Sequence, residues 1–516
     1  MSSMTYDEVQ YESYPYSQTQ PEQLYTIAKL FDLSAPNFAK ARVLELGCAS
    51  GGNIIPIASR FPKSQCVGVD LSIKQIHAGQ AIVDDLALQN IQLIHASITE
   101  INEAYGQFDY IICHGIFSWV AQDIRDKIFE ICQSRLSPQG IAYISYNTLP
   151  GWNMIRSIRE MMRFHVQGMS CAQTKASQAR ALLKFLGEGL ANEDSAYAKC
   201  LQYEIKLLDL QADSYLLHDH LEEINEPTYF YQFVEQARKF NLNYLADQPL
   251  SLMYPGNLPQ KFAEEISKIT DIVRLNQYMD FVRNQRFRST LLCHANLEIN
   301  RQLSPSSITK FYLTYTGKPV QLPQQYTSDE ALQFIGPSIT LTATHPVAKY
   351  AMALLQKNAA KPMAFSELCQ QVVTYFAEQY SESQISEYLI NQLNLLRLAL
   401  GGLIHLHSCP GHYTQTVSAY PKGFGLGVRQ ASEQPWVTNL RHSVIQLTAF
   451  EKMLLKCLDG KQSLAQLEAY CLEQVKLKEF KLVDGVQQPI QNTPAQIKTL
   501  VAQTLSRFAE NALLEA

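Results

Sequence analysis

Between residues 41 and 147 the chain alternates short apolar runs with stretches whose apolar residues recur every three or four positions. "RVLELG" (42–47), "QCVGVD" (65–70), "IQLIHA" (91–96), "FDYIICH" (108–114) and "GIAYISYN" (140–147) are too short for helices, and they predict buried parallel strands. The segments between them, such as 123–136, carry apolar positions at helical spacing and predict crossover helices. Strand and helix in regular alternation predict an α/β fold with a Rossmann-like, doubly wound sheet.

The alternation then stops. From 154 to about 225, Met, Arg, Ala, Leu and Lys dominate without a two-residue period, which predicts a helical insertion. The insertion leaves the sheet after its fifth strand, at the edge where such folds bind ligands, so it is placed to be a lid or substrate subdomain. "TYFYQFVEQARKF" (228–240) predicts a helix, and "NLNYLA" followed by "LSLMY" predicts a strand pair that completes the sheet. A Ser-, Thr-, Pro- and Gln-rich segment from 303 to 344 marks a boundary. Beyond it, three helical patterns and a hairpin, "GGLIHLHS" with "HYTQTVS", predict a winged-helix-like module, and 448–457, 463–475 and 494–514 predict further helices. The expected division is a ligand-binding core at 1–153 and a helical insertion at 154–225. After these come completion of the core with a regulatory helical region at 226–302, a winged-helix-like domain at 303–425 and a C-terminal helical domain at 426–516.

Composition narrows the setting. With 46% hydrophobic and 18% charged residues the chain is globular rather than disordered, and 516 residues exceed what one core organises. A net charge of -5 argues against a general nucleic-acid or anionic-membrane binder. Eleven cysteines without a CxxC pair favour a reducing, cytoplasmic location. The first 25 residues lack the apolar stretch of a secretory signal, and the longest apolar run, 395–406, is broken by Arg397. No membrane insertion is expected.

"VLELGCASGGN" (43–53) is a strand running into a glycine turn and then a helix near Asn53. Gly47, Gly51 and Gly52 let backbone approach a ligand, and the helix start offers free N–H donors. The spacing E-x-G-x-x-x-G differs from the dinucleotide fingerprint and suits a loop holding the aminoacyl part of S-adenosylmethionine. Glu45, Gly47, Cys48, Ala49, Gly51 and Asn53 are therefore candidate cofactor residues. Asp70, about 20 residues on, ends the second strand where an acid accepts both ribose hydroxyl hydrogens, with Leu71 beside it. Ser97 and Ile98 close the third strand toward the adenine, and His114 closes the fourth beside the methionine part.

With these residues in view, the chain resembles the class I S-adenosylmethionine-dependent methyltransferases. The blocks at 6–24, "FDYIICHGIFSWV" (108–120), "SYNTLPGW" (145–152), "HDHLEEINEPTYF" (218–230) and "VTNLRH" (437–442) narrow the resemblance. They are similar to bacterial methyltransferases that carry a methyltransferase regulatory domain, a group that includes rickettsial protein-lysine methyltransferases. The resemblance implies S-adenosylmethionine as cofactor and protein lysine side chains as acceptors. A small-molecule methyltransferase and a non-catalytic S-adenosylmethionine-binding regulator are the alternatives.

Methyl transfer to an amine chiefly needs alignment and a neutral nucleophile. Tyr146 and Asn147, at the exit of the fifth strand, are expected to align it, with Trp152 on the next turn and Trp119 on the loop after the fourth strand. Aromatic faces hold a cation, and amide or phenol oxygens orient its hydrogens. Tyr11, one of the tyrosines of a polar leader with Tyr6, Tyr14 and Tyr16, is expected to fold over the crevice. No metal is expected: His218 and Glu222 form an ordinary i,i+4 pair, and the His405, His407, Cys409 and His412 spacing follows from a hairpin. The helix pattern "ISEYLINQLNLLRLAL" has a single basic residue, Arg397, so the winged-helix-like region is expected to contact a protein substrate and no nucleic acid.

Overall fold

The five apolar runs form β1 (Arg42–Leu46), β2 (Gln65–Asp70), β3 (Ile91–His95), β4 (Phe108–Cys113) and β5 (Leu136–Asn147), all mutually parallel. The computed structural model describes residues 12–376, 379–411, 413–478 and 493–515. Two antiparallel strands, β6 (Leu242–Asp247) and β7 (Phe287–His294), extend the sheet to the order β3-β2-β1-β4-β5-β7-β6. The expected partner of 241–246 was 250–254, and the structure corrects this. Pro249 has no N–H to continue the ladder, Leu250–Leu252 form a 3-10 turn, and β7 takes the place beside β5.

Helices cover both faces. α1 (Pro21–Leu30), α2 (Ile54–Arg60) and α3 (Ile73–Asp85) pack on one, and α4 (Gln122–Arg135) on the other. Strand alternation sorts the core: Tyr110 and Ile112 of β4 join the layer of Leu24 and Ile57, while Ile111 and Cys113 join that of Phe129 and Phe233. The added strands are tied down by Arg288 on β7, wholly buried, which bonds Asp280 through Nε at 2.9 Å and also pairs with Asp247. The stretch after β5 is helical: α5 (Trp152–His165), α6 (Ala172–Gly189) and α7 (Ala196–Asp209), closed by a π turn at Leu216–His220. The chain returns through α8 (Phe230–Lys239) and α9 (Ile272–Arg283).

Residues 303–344 are more than a boundary. Tyr312–Tyr315 is the central strand of a small sheet between Met363–Ala364 and Ile404–His407. The expected hairpin therefore does not form: Pro410 takes the chain out of the ladder, and Ile404–His407 pairs with a strand some 90 residues earlier instead. Ile308, Phe311 and Leu313 share a core layer with Leu24 and Ile27 of α1. The terminal helices run Ala449–Leu455, Leu464–Lys478 and Pro494–Glu510. No helix among the described residues is long and apolar enough to cross a membrane.

Candidate active site

β1 ends in a sharp turn at Gly47, whose φ of +72° lies in the left-handed region. A Cβ there would be strained by that φ and would press on the Ile116 side chain, so a glycine holds the turn. Asp70, at the end of β2, braces the turn: Oδ2 accepts the Ala49 N–H at 2.8 Å and Oδ1 the Ser72 N–H at 2.9 Å. Glu45 is buried beneath it. Its Oε1 accepts Nδ2 of Asn53 at 2.7 Å, while Oε2 has no partner. Burial pushes the Glu45 carboxyl up to about 8; the Asn53 hydrogen bond opposes this, and the nearby Asp70 adds to it.

A cavity of about 910 Å³ opens over these strand ends. Glu45, Gly47, Cys48, Ala49 and Asn53 line it from the first turn, Asp70 and Leu71 from the second strand, Ser97 and Ile98 from the third, and His114 from the fourth. Gly51 is not on the wall. Its φ of +78° and its N–H bond to the Cys48 carbonyl at 2.8 Å shape the turn from behind. Ser97 caps the turn after β3, its oxygen accepting the Thr99 N–H at 3.2 Å.

Of the residues expected to align the nucleophile, Asn147, Trp119 and Trp152 line the cavity and Tyr146 does not. Adjacent strand residues point to opposite faces, and the Tyr146 side chain is turned into the core, stacked on Phe233 at 4.0 Å with its hydroxyl 3.0 Å from Thr290 Oγ1. Asn147 holds the open end: its Nδ2 donates to Asn225 Oδ1 at 3.2 Å, and its N–H to Ser118 Oγ at 2.8 Å. Trp119 and Trp152 meet edge to face at 6.2 Å. Tyr11, like Tyr6 and His412, lies outside the described residues.

The leader and the terminal unit meet at Asn53. Its Oδ1 accepts the Tyr16 N–H at 2.9 Å, the Thr19 hydroxyl at 3.0 Å and His442 Nε2 at 2.7 Å. His442 is buried and pushed down to about 3, chiefly by desolvation, so it is neutral and donates from Nε2. Nearby, Tyr14 packs on Trp436 at 4.8 Å, and Gln20 donates to the Arg441 carbonyl at 3.0 Å. His114 sits under Tyr16 at 4.0 Å, bonded to the Tyr143 hydroxyl at 3.0 Å, and burial pushes it down to about 4. "VTNLRH" is legible as a block, but no local signal sets residue 442 beside residue 53.

The insertion supplies the remaining wall through Glu204, Tyr215, His218, Asp219 and His220, joined by Arg286 and Phe287. His220 stacks on Trp152 at 6.3 Å and is pushed down to about 4 by burial and then by Arg159. Burial pushes Asp219 up to about 7. The lining carboxylates are Glu12, Glu45, Asp70, Asp123, Glu204 and Asp219, against Arg286 as the lining Lys or Arg, so the cavity suits cations. Among the described residues no His, Cys, Asp or Glu cluster is placed to hold a metal ion.

Residues 43–140 match the family model described as a methyltransferase domain, 212–294 a predicted methyltransferase regulatory domain, and 420–513 a PKMT C-terminal winged helix domain. The last match falls on the terminal unit, whereas the sequence reading gave that shape to 303–425. The uncharacterised protein RP789 of Rickettsia prowazekii (strain Madrid E) is 41% identical over 99% of this chain and 93% of its own. RP028 of the same organism is 47% identical over 46% of this chain and 95% of its own. The structure of PKMT2 from Rickettsia typhi superposes with a TM-score of 0.89 at 35% identity, covering 98% of this chain and all of that one. The same protein in complex with AdoHcy gives 0.89 at 36% identity, covering 98% and 99%.

Proposed function

This chain belongs to the methyltransferase family that includes PKMT2 of Rickettsia typhi, and on that premise we propose that it transfers methyl groups from S-adenosylmethionine to protein lysine side chains. The observation that carries the reading is the pairing, in one cavity, of the glycine turn with two perpendicular indoles and Asn147. The cavity volume lies near the upper end for small-molecule sites, which leaves room for an acceptor group beside a cofactor.

The residues present fit S-adenosylmethionine. Glu45 Oε2, buried and without a partner, is the acceptor an ammonium group needs, and Gly47 keeps the turn clear of side chains. In our reading Glu45 and the turn at 47–49 take the aminoacyl part, Asp70 the ribose hydroxyls, and Ser97 and Ile98 flank the base. When bound, this cofactor supplies a methyl carbon made electrophilic by its sulfonium. Asn147 aligns the attacking nitrogen through its side-chain oxygen, since its amide nitrogen is held by Asn225. Trp119 and Trp152 shield the acceptor from water and favour a cation over a neutral group. The lining carboxylates reinforce that preference.

The test is transfer of labelled methyl from S-adenosylmethionine into a lysate of the source organism, followed by acid hydrolysis. Label is expected in macromolecules and, after hydrolysis, in methylated lysines; label in other residues would refute the lysine assignment. A small-molecule acceptor is the second reading, favoured by the insertion residues on the cavity wall. Label confined to the low-mass fraction would establish it.

A further inference from the structure

We propose that Asp219 receives the acceptor's ammonium group and takes up its excess proton. The proposal rests on the reading of the acceptor as a protein lysine. Asp219 sits in the π turn Leu216–His220, on the cavity wall. A π turn widens a helix by one residue and re-aims the side chains it carries. The next residue, His220, stacks on Trp152, which meets Trp119 edge to face, and Asp219, His220 and both indoles line the same cavity.

The other carboxylates of the cavity wall are engaged or exposed. Glu45 is bonded by Asn53 through Oε1 and turns its free Oε2 to the aminoacyl part of the cofactor in the reading above, Asp70 is bonded by two backbone N–H groups, and Glu204 by Arg286. Glu12 is bonded by the Tyr14 hydroxyl, and Asp123 is exposed at the start of α4. The Asp219 carboxylate makes no hydrogen bond or ion pair among the described residues, and burial pushes it up to about 7. A half-buried acid without a cation is costly unless a ligand supplies one. A lysine side chain does so: its methylenes run along the indoles and its ammonium meets the carboxylate.

A lysine arrives protonated and attacks only when neutral. In the proposed step an ammonium N–H bond breaks, its proton goes to an Asp219 oxygen, and the nitrogen keeps the electron pair. Asp219 then returns the proton to solvent through the open side of the cavity. Five of the neighbouring titratable groups do not compete. Burial leaves His220 too weak a base, Tyr215 is pushed up to about 12, and Arg159 and Arg286 carry no acceptor. Glu204 is committed to Arg286, and His218 lies on the same turn.

The experiment compares wild type, Asp219→Asn and Asp219→Glu for labelled methyl transfer into a dialysed lysate of the source organism, counting methyl-lysine from about pH 6.5 to 9.5. S-adenosylmethionine affinity of each is measured by calorimetry. At about pH 8 only about 0.4% of free lysine side chains are neutral, so an enzyme that cannot take the proton depends on that fraction. The Asn variant should be at least about tenfold slower near pH 7.5, climb with pH toward wild type, and keep its cofactor affinity within about twofold. The Glu variant should recover much of the rate. An unaltered rate, a deficit that stays constant with pH, or lost cofactor affinity would overturn the assignment of Asp219. Wild type that labels no lysine would instead overturn the lysine reading, an outcome visible without any variant.

Discussion

His442→Ala removes a buried contact between the terminal unit and the floor of the cofactor cavity. The imidazole donates to Asn53 Oδ1 at 2.7 Å, and the same oxygen accepts the Tyr16 N–H at 2.9 Å. The Thr19 hydroxyl has one hydrogen, shared between that oxygen at 3.0 Å and the Tyr16 carbonyl at 2.8 Å. Loss of His442 therefore leaves Asn53 Oδ1 bonded, and the cost is about one net hydrogen bond, roughly 1 kcal/mol, not that of an orphaned acceptor. Because Asn53 Nδ2 holds Glu45, this loss reaches the cofactor, and the Kd for S-adenosylmethionine should rise by up to about fivefold. Asn53→Ala is the calibrating variant. It strips Glu45 Oε1 of its hydrogen-bond donor and leaves a buried carboxyl unsatisfied, so roughly 2–3 kcal/mol is expected, or about 30- to 160-fold in Kd. Isothermal calorimetry on the full chain gives both numbers, with melting temperature as the folding control. A His442→Ala protein that melts lower but binds the cofactor as before would refute the coupling and leave His442 a packing residue.

Asn147→Ala should lower turnover roughly tenfold, about 1.4 kcal/mol of transition-state stabilisation, with little change in cofactor Kd; steady-state rates and calorimetry separate the two. Tyr146→Phe loses a buried hydroxyl bonded to Thr290 and should cost about 1 kcal/mol of stability while turnover stays within about twofold, as read by denaturant melts and rates. Acid should destabilise the protein through its buried histidines. His442 is held down to about 3 and His114 to about 4, both below the usual value of 6.5, so the unfolded chain binds more protons. Their contribution is complete above about pH 6.5 and is lost as pH falls toward those folded values. Over that range the melting temperature of the wild type should fall relative to that of His442→Gln, the raised carboxyls of Glu45 and Asp219 acting alike in both; an equal slope would refute the assignment.

Much of the fold is local and was legible. β1 to β5 are continuous apolar runs because both faces of a parallel sheet are buried, and Gly47 and Asp70 are marked by the residue types that a tight turn and a strand-end acid need. The insertion announced itself by the absence of any strand pattern after β5. What the sequence left open is which face each side chain takes and which distant segments meet. Tyr146 and Asn147 are both polar-tipped residues on one strand end, and only packing against Phe233 and Thr290 sends the first into the core and leaves the second at the cavity. β7 was missed because its antiparallel place beside β5 depends on the buried Arg288, Asp247 and Asp280 contacts, which join positions up to 41 residues apart. Asp219 reads in sequence as one acid among several, and its isolation arises from its place in the π turn on the cavity wall. His442 and Asn53 are 389 positions apart, so no spacing rule connects them. Strand propensity and turn chemistry act over a few residues, whereas the cavity is made by contacts whose partners the chain brings together only when its layers close.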